Sequence, residues 1–456
     1  MNILIAGATP MGGVLAKYMV EEGHDVHVVD ANSDAIAEMV SHLDVRALVG
    51  EIQDPAILTE VQIQNTDLIL AVSDMDTTNI VTALALHPLA PRARTAVWVR
   101  DTQFTENTQL WSGAQLDQVM LLTPERNALH LLIDLLEIPL SFEVASFMGG
   151  KINIAGFCLH EDSPLIGKKL SELVQSQENR TLVAAVERGS ETIVPTGDFI
   201  FAAQDRLFIP LLEGRKLSSS FEFMGLEQSH LQMKNSRYLL GGGGRMSYLL
   251  ARRLEEKGIS PIIIEQDRQQ GKHMLERLSS SQVLQGDVTN LNLLSELITP
   301  ATTYIALTGN QEINFLSSVL ARRLGAGRAI TIFDNEGYMS ISQVMGVDAA
   351  IHPKFTTIGQ VMGLLRRYPV NEAQLLLGGK LDALLVPLQP GAPIVGKQLR
   401  HAGVPKGVVI AAHYRDGQLF LPDGNSTFNV GDQLLFVSNR QAKLNREIRK
   451  LLFVES

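Results

Sequence analysis

"LLGGGGRMSYLLARRL", residues 239–254, sets four consecutive glycines between an apolar β-rich run and a helical pattern. Glycine is the residue that lets a chain turn from strand to helix while its backbone passes close to an anion. The unpaired N–H groups and dipole of the helix N-terminus then attract negative charge. The stretch reads as a strand–loop–helix phosphate cradle built from Gly242, Gly243, Gly244, Arg245 and Met246, with Ser247 in the third glycine position of a GxGxxG pattern. Glu265 closes the next apolar run, "PIIIE" (261–265), where an acid accepts hydrogen bonds from ribose hydroxyls.

The same design begins at Leu4 with "LIAGATPMGGVLAKYM". Gly7 lies over Gly242 at an offset of 235 residues, and Asp30 lies over Glu265 at the same offset. The first cradle comprises Gly7, Ala8, Thr9, Met11 and Gly12, with Thr9 and Pro10 standing where the second has Gly244 and Arg245. Further along, Glu51 and Asp287 follow a glycine at the end of a third strand. They suit a ribose or adenine edge, or alternatively cap a turn. Ser73 and Thr308 end a fourth strand and are either phosphate-side hydroxyls or plain strand-end residues. Arg100 ends a fifth strand, where it meets a phosphate or forms a surface ion pair.

The repeat extends beyond these loops. "AVSDMDTTN" (71–79) matches "ALTGNQEIN" (306–314) at 235, whereas "PLIGKKL" (164–170) matches "PIVGKQL" (393–399) at 229. "RGSETIVPTGD" (188–198) matches "RDGQLFLPDGN" (415–425) at 227, as does Asp205 with Asp432. The order is N1–C1–N2–C2, with expected boundaries 1–140, 141–224, 225–370 and 371–456, and with polar residues 213–236 read as a linker between halves. In each N unit short apolar runs alternate with helical-period segments. This is the pattern of a Rossmann-like, doubly wound parallel sheet in the α/β class. Each C unit alternates short β runs with turn signals and reads as a small α+β module. Pro88 and Pro91 are expected to stop the N1 helix that N2 continues.

Composition narrows the function. Hydrophobic residues make up 45% and charged residues 19%, a core-forming globular chain. With 39 Lys+Arg against 49 Asp+Glu, the net charge of −10 argues against a nucleic-acid partner. A single cysteine, Cys158, permits no intrachain disulfide and fits a reducing cytoplasm. No signal peptide or membrane span is expected. HExxH, CxxC and a GxSxG nucleophile setting are all absent, and the scattered histidines offer no acid–base pair beside either cradle, so an NAD-dependent oxidoreductase is disfavoured. A nucleotide-sensing regulator without a transporter partner is a second alternative.

With those residues assembled, the chain resembles the tandem RCK (KTN) regulators of bacterial potassium uptake, of the TrkA type, over essentially all 456 residues. The likeness is most specific in "NFLSSVLARRLGAGRAITIF" (314–333), Tyr338, "GVDAAIHP" (346–353) and the segment 393–437. The resemblance implies NAD(H) in the N clefts, with ATP or ADP as alternatives in one of the two sites, and no catalysis. It also implies a homo-oligomeric ring, dimer or tetramer, held on the cytoplasmic face by a separate membrane-embedded Trk-type potassium translocator. On this likeness Gly7, Gly12, Asp30, Glu51, Ser73 and Arg100 belong to the first site, and Gly242, Gly244, Glu265 and Asp287 to the second. Arg245 corresponds to an arginine that reaches a terminal phosphate across a subunit boundary. The amphipathic segments 124–139 and 353–369 are expected to be crossover helices packing on a partner N unit, or ordinary helices of their own unit.

Overall fold

The computed structural model describes residues 1–101, 119–173, 180–226, 237–333, 344–365, 369–439 and 442–453, with isolated positions such as Tyr338 between them. The chain forms two compact units, Met1–Glu125 with Thr356–Tyr368, and Arg126–Phe355 with Pro369–Ser456.

The first unit holds β1 (Asn2–Ala6), α1 (Pro10–Glu21), β2 (Asp25–Asp30), α2 (Ser33–His42), β3 (Arg46–Val49), α3 (Pro55–Glu60), β4 (Leu68–Ala71), α4 (Asp76–Leu86), β5 (Arg94–Trp98) and β6 (Met120–Leu122). The strands pair in parallel in the order β3-β2-β1-β4-β5-β6. Ile3, Leu4 and Ile5 are at most 1% exposed, because a strand covered by helices on both faces buries every side chain. Strand order reverses between β1 and β4, and the crevice at their carboxyl ends is where such sheets bind ligands. As expected, α4 stops at Leu86, two residues before Pro88.

The chain then continues through α5 (Pro124–Glu137) into a five-stranded antiparallel sheet of β7 (Glu143–Phe147), β8 (Ile152–Cys158), β9 (Ala185–Arg188), β10 (Glu191–Ile193) and β11 (Arg206–Leu212), followed by α6 (Leu217–Met224). That last helix corrects the linker reading of 213–236. Phe221 is fully buried and packs edge-on to Phe157 at 5.6 Å, while the Ser163 hydroxyl donates to the Met224 carbonyl at 2.7 Å. Polar composition hid a short helix held by two apolar anchors. The rest of the expected linker, 227–236, lies outside the described residues.

The second Rossmann half repeats the first with β12 (Arg237–Gly241), α7 (Arg245–Glu256), β13 (Ile262–Glu265), α8 (Arg268–Arg277), β14 (Gln282–Gln285), α9 (Leu291–Leu297), β15 (Thr302–Ala306), α10 (Gln311–Arg323), β16 (Arg328–Ile332) and β17 (Ala349–Ile351). Its order, β14-β13-β12-β15-β16-β17, is that of the first sheet. After α11 (Pro353–Leu365) come β18 (Glu372–Leu376), β19 (Leu381–Pro387), β20 (Val408–Arg415), β21 (Gln418–Phe420), β22 (Gln433–Asn439) and α12 (Ala442–Leu452). These five strands form the second antiparallel sheet.

Two helices do not stay with the half that precedes them. Ala128, Leu132, Leu135 and Leu136 of α5 share one core with Tyr238, Leu240, Leu250 and Leu254 of the second Rossmann half. Residues of α11 from Thr356 onward belong to the compact unit of the first. Of the two arrangements open to these segments, the structure adopts the exchanged one.

Candidate functional site

At the crest of each parallel sheet the first glycine of the loop is dictated by geometry. Gly7 has φ +124°, and a Cβ there would sit 2.6 Å from the Ser73 nitrogen. Gly242 has φ +101°, and a Cβ would lie 2.9 Å from the Leu307 carbonyl oxygen. The loop thus turns in a glycine-only conformation directly against the end of the neighbouring strand.

Each acid is joined to its own loop. The Ala8 N–H donates to Asp30 Oδ2 at 2.7 Å, and the Asn32 N–H donates to Oδ1 at 2.8 Å. In the second half the Gly243 N–H donates to Glu265 Oε2, and the Asp267 N–H donates to Oε1 at 2.7 Å. Two backbone donors aim each carboxylate across the crevice mouth, and the second lone pair of each oxygen can accept from a ribose hydroxyl. The longer acid fits because Gly243 has no side chain. A Cβ there would come within 2.8 Å of Glu265 Oε2, whereas the first half combines a one-methylene-shorter acid with Ala8.

The two helix starts differ. Thr9 turns inward, accepting the Gly12 N–H at 3.2 Å and donating to the Val72 carbonyl at 2.7 Å. Its hydroxyl therefore caps α1 and does not project into the crevice. Gly244 occupies the matching cap of α7 with no side-chain hydrogen bond, so the second loop presents an open helix N-terminus. We expect Thr9→Val to cost the first unit about 1–2 kcal/mol in thermal denaturation, because it strands a buried carbonyl and removes a cap. Met11 is fully buried and has only its backbone to offer a ligand, while Arg245 and Pro10 lie on the surface and Met246 is half-buried. At the third position a Cβ on Gly12 would meet the Gly7 carbonyl oxygen at 2.1 Å, yet Ser247 fits wholly buried in the second half.

Ser73 and Thr308 are not free strand-end hydroxyls. The Ser73 N–H and Oγ both donate to Asn79 Oδ1 at 2.7 Å, and Asn79 Nδ2 donates to the Ser73 and Trp98 carbonyls at 3.0 Å. The second half repeats this with Thr308 and Asn314, whose Nδ2 reaches the Thr308 and Ile332 carbonyls at 3.2 and 3.3 Å. These buried asparagines lock the loop after β4 or β15 to the end of the next strand. They escaped the reading of individual residues because a lone Asn in a helix resembles a surface residue. Their matched positions in the repeat were the available signal.

The remaining candidates are Arg100, Asp287 and Glu51. Arg100 pairs with Asp74 at 3.0 Å and lies over the Trp98 ring at 4.5 Å, while its backbone N–H donates to Asp76 Oδ2 at 2.9 Å. Asp287 accepts both the backbone N–H and the hydroxyl of Thr289 at 2.7 Å, and these bonds hold its carboxyl below the ordinary range. It caps the turn, one of the two roles the sequence left open to it. Glu51 is exposed at the end of β3.

The duplicated crevice has a counterpart in known proteins. The TrkA-N domain model matches residues 3–121 and 238–353, and the TrkA-C domain model matches 154–209 and 384–448. The chain belongs to the TrkA family. Among TrkA relatives, a Trk system potassium uptake protein of Halomonas elongata is 28% identical over 447 residues, covering 97% of this chain and 96% of that one. A homologue from Methanosarcina mazei is 27% identical over 459 residues, covering 99% of this chain and all of its own. These relatives carry the names of potassium uptake proteins, not of enzymes. The fold is that of the GsuK channel, with TM-score 0.61 at 17% identity over 98% of this chain and 78% of the channel. A GsuK channel bound to NAD gives TM-score 0.59.

Proposed function

We propose that this TrkA-family chain is a nucleotide-sensing subunit that regulates potassium uptake by a separate membrane-embedded translocator. An adenine nucleotide, NAD(H) first among them and ATP or ADP as alternatives in one half, lies across each crevice. Its ribose hydroxyls rest on Asp30 or Glu265, and its phosphates rest on the loop from Gly7 to Gly12 or from Gly242 to Ser247. Among the described residues no helix is long and apolar enough to cross a membrane, and the translocator supplies that part. A homo-oligomeric ring on the cytoplasmic face would carry the change to it. The ligand acts by favouring one arrangement of the units, in proportion to its differential affinity for the two states.

The observation that carries this reading is the paired acid-to-loop hydrogen bond, made with different residues in both halves. Calorimetric titration of wild type, Asp30→Ala and Glu265→Ala with NADH, NAD, ATP and ADP tests it. Each variant is expected to lose at least about tenfold in affinity at its own half, since charge-assisted hydrogen bonds to the ribose disappear. If wild type binds none of the four nucleotides, the reading fails.

A further inference from the structure

We propose that β5 and β16 act as connecting rods between the nucleotide crests and the exchanged helices, with Arg94 and Arg328 as their far couplings. At the crest end each strand is held by the buried asparagine, through the Trp98 carbonyl in one half and the Ile332 carbonyl in the other. At the opposite end each strand opens with an arginine. The Arg94 guanidinium donates to the Leu364 carbonyl near the end of α11. Arg328 donates from Nη1 to the Leu135 carbonyl at 2.6 Å, near the end of α5, and from Nη2 to the Ser141 carbonyl at 2.5 Å.

The arrangement is systematic. Arg94 and Arg328 are repeat partners 234 residues apart, and Leu135 and Leu364 are repeat partners 229 apart. In each unit the arginine therefore caps the helix that came from the other half. The last carbonyls of a helix have no intrahelical partner and carry its negative dipole end, so a guanidinium is the cap they favour. The strand between the two couplings lies inside its sheet, hydrogen-bonded on both sides, β5 between β4 and β6 and β16 between β15 and β17. A five-residue strand held this way spans roughly 15 Å with little freedom to bend. Ser141 stands two residues before β7, so Arg328 grips both the end of α5 and the entry to the first antiparallel sheet.

Movement at the crest then reaches the helix end through the strand itself. Arg94 and Arg328 are positioning residues, each at the end of its strand opposite the crevice. The proposal rests on the nucleotide reading only for what drives the rod, not for the rod's existence.

The test is hydrogen exchange of the full chain at residues 132–141, with and without NADH, ADP or ATP. Arg328→Gln is expected to speed exchange there about tenfold, as a charged cap is lost, while changing nucleotide affinity less than twofold. Wild type should gain protection at 132–141 on nucleotide addition, and Arg328→Gln should not. Asn314→Asp keeps the acceptor for Thr308 but removes the donor to Ile332, and should loosen the same segment without any nucleotide. If that variant does not fold, Asn314→Ser takes its place. Because one rod is cut twice, the double variant should exchange more slowly than the product of the two single increases. Independent multiplication, or an intact nucleotide response in Arg328→Gln, would overturn the proposal. Failure of every nucleotide to bind wild type would instead remove the crevice reading, and the nucleotide-free cycle would still decide the rod.

Discussion

Gly243→Ala is expected to weaken nucleotide binding in the second half about 100-fold, and adding Glu265→Asp to the same chain should return it to within about fivefold. A methyl at 243 would lie 2.8 Å from Glu265 Oε2 and 2.8 Å from Met274 Sδ. Both atoms belong to flexible side chains, so the fold survives and the displaced group is the acid. Glu265 then loses the Gly243 N–H that aims it, and its loose charge faces the ligand's phosphates. Aspartate withdraws the carboxylate by one methylene and recreates the Ala8–Asp30 pair of the first half, where the Ala8 N–H bond is 2.7 Å. Met274 needs no change, since the matching position in the first half is Met39. Isothermal titration of the single and double variants checks this. A double variant no better than the single would mean that the two loops hold their acids for unrelated reasons.

That exchange shows what one chain with an internal repeat makes legible. Glycines, acids and the alternation of strands and helices could be read because each is fixed by local geometry and is written twice. Gly7 and Gly242 both need positive φ, and Asp30 and Glu265 both close a second strand. Other features depend on partners far along the chain. Thr9 stands in the place of a loop glycine, but its hydroxyl turns to Val72, a residue 63 positions away. Arg94 and Arg328 show nothing of their role in the sequence, because their targets lie 270 and 193 residues away. The amphipathic stripe of α5 announced a buried face without saying which core would bury it, because either Rossmann half offers a similar apolar surface. Residues 217–224 failed for a simpler reason: the helix buries only two apolar side chains, Phe221 and Met224, and it lies inside a longer stretch, 213–236, that is mostly polar.

The joint between the two antiparallel sheets is also reciprocal, and it makes the second large prediction. The Leu377 N–H donates to both Glu143 carboxylate oxygens, at 3.0 and 3.1 Å, and the Met148 N–H donates to Glu372 Oε1 at 2.9 Å. Glu143 and Glu372 are repeat partners, as are Met148 and Leu377, and both N–H donors sit in left-handed turns at φ 54°. The surroundings are not symmetric. Burial raises the Glu143 carboxyl from its ordinary 4.5 to about 7, against the Arg206 cation and the Leu377 N–H and with help from the Glu187 charge. Glu187 in turn pairs with Arg206 and, at 3.0 Å, with Lys380. A carboxyl raised above its unfolded value contributes stability that is complete below pH 4.5 and is lost as pH rises through about 7. The joint should therefore tighten in acid and loosen in alkali over that window. Glu143→Gln keeps an acceptor for Leu377 and drops this charge, while burial still raises the Glu372 carboxyl, so its stability should fall less than wild type's over the window and exceed it by up to about 3 kcal/mol at pH 8.5. Urea unfolding of both proteins at pH 5.5 and 8.5, followed by hydrogen exchange of residues 143–158 and 372–387, reads the difference. A Glu143→Gln protein weaker than wild type at pH 8.5 would mean that attraction to Arg206 outweighs the cost of burial, and the sign of the pH response would reverse.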